Sequence, residues 1–153
     1  KTSWMINLTN TLYLDPSISN FGYCVEVDNE IVNYGHKRTY SKYRLHERVR
    51  TIVDEVSQQI EEYDIDNLVY EYPDKGSYHA TGVQTFIKLG VAIGSILALH
   101  DWEEVYQYTP KEWKGKQSKE DTQMLVKSKG FDVDDDNTAD AIGIYLYHER
   151  NQS

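Results

Sequence analysis

Short apolar runs alternate with longer stretches of helical period along this chain, and their order predicts an α/β fold. Thr11 to Asp15 is an apolar run ending on a carboxylate, and Phe21 to Val27 alternates as a second strand. Asp28-Asn29 supplies a hairpin turn, after which Glu30 to Tyr40 reads as a third strand. Leu45, Val49, Ile52, Val56, Ile60 and Tyr63 recur at helical spacing, so 44–63 is an amphipathic helix. Asn67 to Tyr72 is a fourth strand, stopped by Pro73. A helix over 79–100 carries few charges and is expected to be largely buried, with Gly90 and Gly94 letting another backbone approach. Glu103 to Tyr108 is the fifth strand, followed by a basic loop over 109–117. Ser118-Lys119-Glu120-Asp121 is a capping-box pattern that opens a helix closed by Gly130, and a last helix covers 138–149. The expected fold is a five-stranded mixed sheet, an antiparallel three-strand meander plus parallel strands, flanked by helices. One domain over 11–150 follows an N-terminal extension of residues 1–10.

Composition fits a folded domain with one core: 153 residues, 39% hydrophobic and 27% charged. The single cysteine, Cys24, forms no internal disulfide and is expected in the core of its strand, as in a reducing compartment. No signal pattern opens the chain, and its longest apolar stretch, Leu89 to Leu99, falls short of the roughly 20 residues of a membrane span. The expectation is an intracellular, cytoplasmic protein with no membrane partner.

The net charge of −9 argues against nucleic acid, but its distribution softens the objection. Six basic residues lie between Lys37 and Arg50, and six between Lys111 and Lys129. The helix over 44–63 is basic in its first half and acidic in its second, against the preference of the helix dipole. Its basic end is either a solvated face or put to another use.

Two strands end on a carboxylate, Asp15 and Glu71, and Asp140 lies in the first turn of the last helix. Asp15 in Asp15-Pro16-Ser17 also suits a plain turn. If the first and fourth strands are parallel neighbours, their ends converge and the last helix points Asp140 into the same cleft. Clustered buried carboxylates repel unless a cation compensates. Hard divalent cations prefer such oxygen ligands, and two of them suit phosphodiester cleavage.

At these residues the chain resembles the RuvC-type Holliday-junction resolvases of the RNase H-like superfamily. Leu14-Asp15-Pro16-Ser17 with Gly22-Tyr23 looks like the opening motif, and Val69-Tyr70-Glu71 like the strand carrying the family's glutamate. Lys88-Leu89-Gly90-Val91-Ala92-Ile93-Gly94 is similar to the central helix, and Asn137-Thr138-Ala139-Asp140-Ala141-Ile142 to the closing motif. The resemblance spans about 11 to 149. It implies a homodimer, paired through the 79–100 helix, that nicks four-way DNA junctions in pairs using two Mg²⁺ ions, with Mn²⁺ as a substitute. By motif position it assigns Asp15, Glu71, Asn137 and Asp140 to the metal site, and Lys119 to the scissile phosphate. Lys114 and Lys116 would contact the DNA backbone, as would Lys37, Arg38, Lys42, Arg44, Lys75 and Lys111 in the basic segments and loops. Tyr72 and Tyr78 are the nearest analogues of the aromatic wedge at the crossover.

Departures from the pattern keep alternatives open. Asn137 stands where the family has Asp or His; an amide neither acts as a base nor neutralises metal charge. It is a natural variant, an inactivating change, or a cap of the last helix completed by Asp140, with Asp136 a substitute ligand. Ser17 replaces the usual glycine. The competing readings are an RNase H-like nuclease on flaps, forks or hybrids, a junction-binding dimer without cleavage, and an actin-like ATPase, which needs a longer chain. The five His residues show no ligand spacing, and the Trp residues are read as packing, with Trp113 alone in a DNA-facing loop. Small size and divergence fit a phage or bacterial protein near the nucleoid.

Overall fold

The computed structural model describes residues 8–74 and 82–152. Five strands, β1 (Thr11–Asp15), β2 (Asn20–Val27), β3 (Glu30–Arg38), β4 (Asn67–Glu71) and β5 (Glu104–Tyr108), form one sheet in the order β3-β2-β1-β4-β5. The first three make the expected antiparallel meander, while β1–β4 and β4–β5 pair in parallel. Asp28 and Asn29 both take positive φ, as a two-residue hairpin turn requires. The helices are α1 (Leu45–Tyr63), α2 (Val83–Leu99), a single turn α3 (Pro110–Trp113), α4 (Lys119–Ser128) and α5 (Asp136–Gln152).

The two-residue period of each strand sorts its side chains between two cores. Leu12, Leu14, Phe21, Val25, Leu68 and Tyr70 point to the face covered by α1 and α2. Tyr13, Cys24 and Val69 point to the other face, where Ala139, Ile142 and Ile144 of α5 cover them together with Trp113 and Val126. Cys24 is fully buried in its strand. The same alternation carries past the apolar residues: Asp15 follows Tyr13, and Glu71 follows Val69, onto the α5 side.

Four sequence expectations are corrected. The third strand stops at Arg38, and beyond it one further in-register bond, from the Thr39 N–H to the Ser19 carbonyl, closes the β2–β3 ladder. The basic loop contains α3, opened by Pro110 and a Thr109/Glu112 capping box. The last helix starts at Asp136, capped by Asp135, whose carboxylate accepts from the Thr138 N–H at 2.8 Å; Asn137 is not its cap. The helix predicted over 79–100 is not largely buried: α2 buries only Ala92, Ile93 and Ile96, and Ile87 is 53% and Val91 43% exposed. An apolar composition there does not mean an enclosed helix. The Ser118/Asp121 capping box forms as expected.

Candidate metal centre

β1, β3, β4 and β5 run in one sense, so Asp15, Arg38, Glu71 and Tyr108 end at the same edge of the sheet. The chain winds one way from β1 to β3 and the other way through β4 and β5. The crevice between the ends of β1 and β4 is therefore the switch point, where open α/β sheets place ligands. Asp15 and Glu71 stand there.

The N-terminal turn of α5 closes the crevice from the side. It reaches the sheet because Gly22, the register partner of Asp15, has no side chain: a Cβ there would overlap the Asn137 carbonyl. One carboxylate oxygen from each of Asp15, Glu71 and Asp140 then lies within 4.8 Å of the others. Asp15 is buried and the other two are partly so.

Neighbouring side chains orient this triad. Trp113 Nε1 donates to Glu71 Oε2 at 3.2 Å, and Gly143 leaves room for the indole ring. Lys114 Nζ pairs with Asp140 Oδ1 at 3.5 Å while lying over the Trp113 ring. Asn137, its amide oriented by the network, donates from nitrogen to Asp15 Oδ2 and to the Asn20 carbonyl, each at 3.1 Å. Its oxygen accepts from Asn20 Nδ2 at 3.0 Å. Asn20 is tied further to Asp135 Oδ1 and to His36 Nδ1.

Electrostatics mark the triad as unfinished. Burial pushes the Asp15 carboxyl well above the usual range, and Glu71 and Asp140 push it further. Glu71 is raised by burial and by Asp140, against the hydrogen bond from Trp113. Burial lifts Asp140 to about 6 despite Lys114 beside it. Three carboxylates thus face one lysine in a water-poor crevice, a net negative oxygen cage of the kind that hard divalent cations fill. The donor set fits such an ion.

The other expected site residues divide. Lys119 pairs with Asp136 at 3.7 Å and is largely exposed, outside the triad. Asp136 also accepts from Gln123 and lies outside the group formed by Asp15, Glu71 and Asp140. Lys111 is exposed on α3, and Lys116 just after it. Lys37 and Arg38 end β3, Lys42 and Arg44 lie in the turn before α1, and Tyr72 is exposed directly after Glu71. Lys75 and Tyr78 lie outside the described residues. Sequence reasoning missed Trp113 as a partner of Glu71, Lys114 as a partner of Asp140, and Asn20 altogether. The Thr109-Pro110-Lys111-Glu112 capping signature was the available clue to the first two, because a helical turn there swings Trp113 and Lys114 back over β4.

A mixed five-stranded sheet in this order, with carboxylates at the β1 and β4 ends met by a third from the last helix, has the architecture of the RNase H-like fold. Within it, the family model described as Crossover junction endodeoxyribonuclease RuvC matches residues 11–148, and the chain belongs to that family. Among solved structures the chain is similar to Thermus thermophilus RuvC in complex with Holliday junction substrate, at 21% identity and TM-score 0.75, covering 92% of each chain. A second Thermus thermophilus RuvC structure gives TM-score 0.73 at 21% identity, covering 92% of this chain and 93% of that one. The yeast mitochondrial Holliday junction resolvase Ydc2 is similar at 19% identity and TM-score 0.64, covering 98% of this chain and 81% of that one. No curated protein sequence matches the chain.

Proposed function

We propose that this chain is a structure-selective DNA endonuclease that resolves four-way junctions by metal-dependent phosphodiester hydrolysis. The observation that carries the reading is the convergence of Asp15, Glu71 and Asp140 within 4.8 Å at the strand ends, in a chain of the RuvC family. These three would hold Mg²⁺, or Mn²⁺ in its place. A pair of such ions supplies an activated water and a stabilised leaving oxygen.

The chain's own residues position that chemistry. Asp15 is the most buried of the three and feels the charge of both neighbours. Trp113 fixes the rotamer of Glu71 through its N–H. Lys114 brings a cation beside Asp140 and so draws a phosphodiester towards carboxylates that would otherwise repel it. We assign Asn137 to orienting Asp15, because its nitrogen rather than its oxygen faces that carboxylate. The basic role expected of Lys119 passes to Lys114, and Lys119 joins Lys111 and Lys116 along the DNA path.

That path follows the sheet edge. Lys37, Arg38, Lys42 and Arg44 lie on the β3 side of the carboxylates, and Lys111 and Lys116 on the β5 side. Tyr72, exposed next to Glu71, is placed to wedge at the crossover. The chain works as a homodimer through α2, whose exposed Val83, Ile87, Val91 and Leu97 leave an apolar face bare. The test is cleavage of a labelled four-way junction beside matched linear duplex, fork and RNA–DNA hybrid, in Mg²⁺ and in EDTA. Metal-dependent nicking confined to the junction is expected; preferred cutting of fork or hybrid would replace the substrate.

A further inference from the structure

Arg48 is an isolated buried cation. It is only 7% exposed, yet among the described residues no carboxylate pairs with it. Its guanidinium is held by neutral oxygens instead: Nε donates to Thr39 Oγ1 at 3.0 Å, and one terminal nitrogen to the Ile18 carbonyl and to Ser19 Oγ at 3.3 and 3.2 Å. A buried charge without a counter-ion is costly, and carbonyls and hydroxyls relieve only part of that cost. The arrangement suits a site whose anion comes from outside.

The remaining face of Arg48 borders a cavity of about 390 Å³, shared with Lys37, Arg38, Tyr40, Tyr43 and Glu47. Tyr40 and Tyr43 are 54% and 48% exposed, bulky rings left in water on a turn that puts Lys42 over the Tyr43 ring. Glu47 is the one acid on this wall, and its Oε1 accepts from the Arg44 N–H at the helix start. Of the basic residues at the start of α1, Arg48 is the one that lines this cavity. At this size the cavity lies near the bottom of the range of roughly 300–1,000 Å³ for small-ligand pockets, too small for a duplex.

We propose that this cavity is a second nucleotide subsite, which takes a strand phosphate against Lys37, Arg38 and Arg48 and the adjoining unstacked base against Tyr40 and Tyr43. The inference rests on the nuclease reading above and deepens it. A base inside a duplex has no free face to offer two tyrosines, whereas a strand distorted at a junction does. The subsite therefore favours branched over linear DNA in a chain whose net charge gives little general affinity. It also reaches the catalytic end of β1: Arg48 grips Ile18 and Ser19, three and four residues after Asp15, so filling the cavity steadies the loop that follows Asp15.

The test places 2-aminopurine at successive positions of each strand around the crossover of a four-way junction, bound to the full chain in Ca²⁺. Stacking on Tyr40 and Tyr43 quenches the probe at one or two positions. The Tyr40→Ala/Tyr43→Ala double variant, altered only at exposed rings, is expected to restore that fluorescence and to weaken junction binding about tenfold. Its linear-duplex binding stays unchanged. Lys37→Ala and Arg38→Ala each lower the salt dependence of junction binding by about one phosphate contact. Junction binding with no position quenched, or a double variant that binds and quenches as the unaltered chain does, overturns the subsite while leaving the nuclease reading intact. If the chain binds no junction, the nuclease reading fails first, and a single-stranded 2-aminopurine oligonucleotide decides the subsite. Quenching that depends on the two tyrosines upholds it, and absence of quenching overturns it.

Discussion

The carbonyl oxygen of Asn137 occupies the space that a Cβ on Gly22 would need. Because Gly22 is the register partner of Asp15, this one missing side chain lets the first turn of α5 lie on the sheet beside β1. Gly22→Ala is expected to push the helix start away, costing about 1–3 kcal/mol as overpacking does. Asn137 and Asp140 would move with it, so cleavage should fall more than junction binding. Thermal melts and cleavage rates, measured together, check this; a variant with unchanged Tm and rate would contradict the packing described.

Burial and mutual repulsion raise Asp15, Glu71 and Asp140, and the sign of the consequence follows directly. A raised carboxyl keeps its proton in the folded chain at a pH where the unfolded chain has lost it. Metal-free stability therefore declines as pH climbs from the ordinary carboxylate range near ~4 to about 6, where Asp140 ionises. In EDTA, the Tm difference between the chain and its Asp140→Asn variant should grow in the variant's favour from pH 5 to pH 7. Mn²⁺ should reverse that difference at pH 7 and do little at pH 5. Lys114→Met removes the cation opposing the rise, so it widens the loss in EDTA, and with a positive charge gone from beside the cage Mn²⁺ binding at pH 7 should tighten. Melts that ignore both pH and metal would contradict the cluster's charge.

Much of this site was legible in the sequence because strand ends and helix starts announce themselves. Leu12-Tyr13-Leu14 and Leu68-Val69-Tyr70 each run into a carboxylate, and the alternation of a strand decides that both point the same way. The Asp28-Asn29 turn and the Ser118/Asp121 cap were equally readable, since each rests on a local backbone demand. What stayed hidden was non-local. Nothing near Arg48 in the chain says that it is buried against Ile18, Ser19 and Thr39. Nothing near Asn20 says that it grips Asn137, 117 positions later in the sequence. The burial of α2 was misjudged because apolar composition records only that a surface seeks a partner, not that the partner belongs to the same chain.

Asn137 offers a sharper trial. Its N–H groups hold Asp15 Oδ2, and Asn137→Asp would replace a donor by a fourth negative charge. Without metal the variant should be less stable at pH 7 than the unaltered chain. With Mn²⁺ it should gain more Tm, because a fourth carboxylate adds to the cage. Calorimetric titration of Mn²⁺ gives an independent reading, with tighter binding expected. If the variant is more stable in EDTA and binds metal no better, Asn137 does not serve Asp15 as described.

The bare face of α2 predicts self-association. Val91 and Ile87 lie on it one turn apart, and a Cβ at Gly90 or Gly94 would meet nothing within 4 Å, so a second helix has room to approach closely. Sedimentation should find a dimer, and Val91→Glu should yield a folded monomer with unchanged far-ultraviolet circular dichroism. A monomeric unaltered chain would contradict the dimer.

The most direct test follows single variants on one substrate. A labelled four-way junction is incubated in Mg²⁺ with the chain and with Asp15→Asn, Glu71→Gln and Asp140→Asn, and binding is measured separately in Ca²⁺. The unaltered chain is predicted to nick opposing strands, and each variant to bind the junction without nicking it. A variant lacking any one of the three carboxylates that still nicks the junction at the original rate would place the chemistry elsewhere in the molecule.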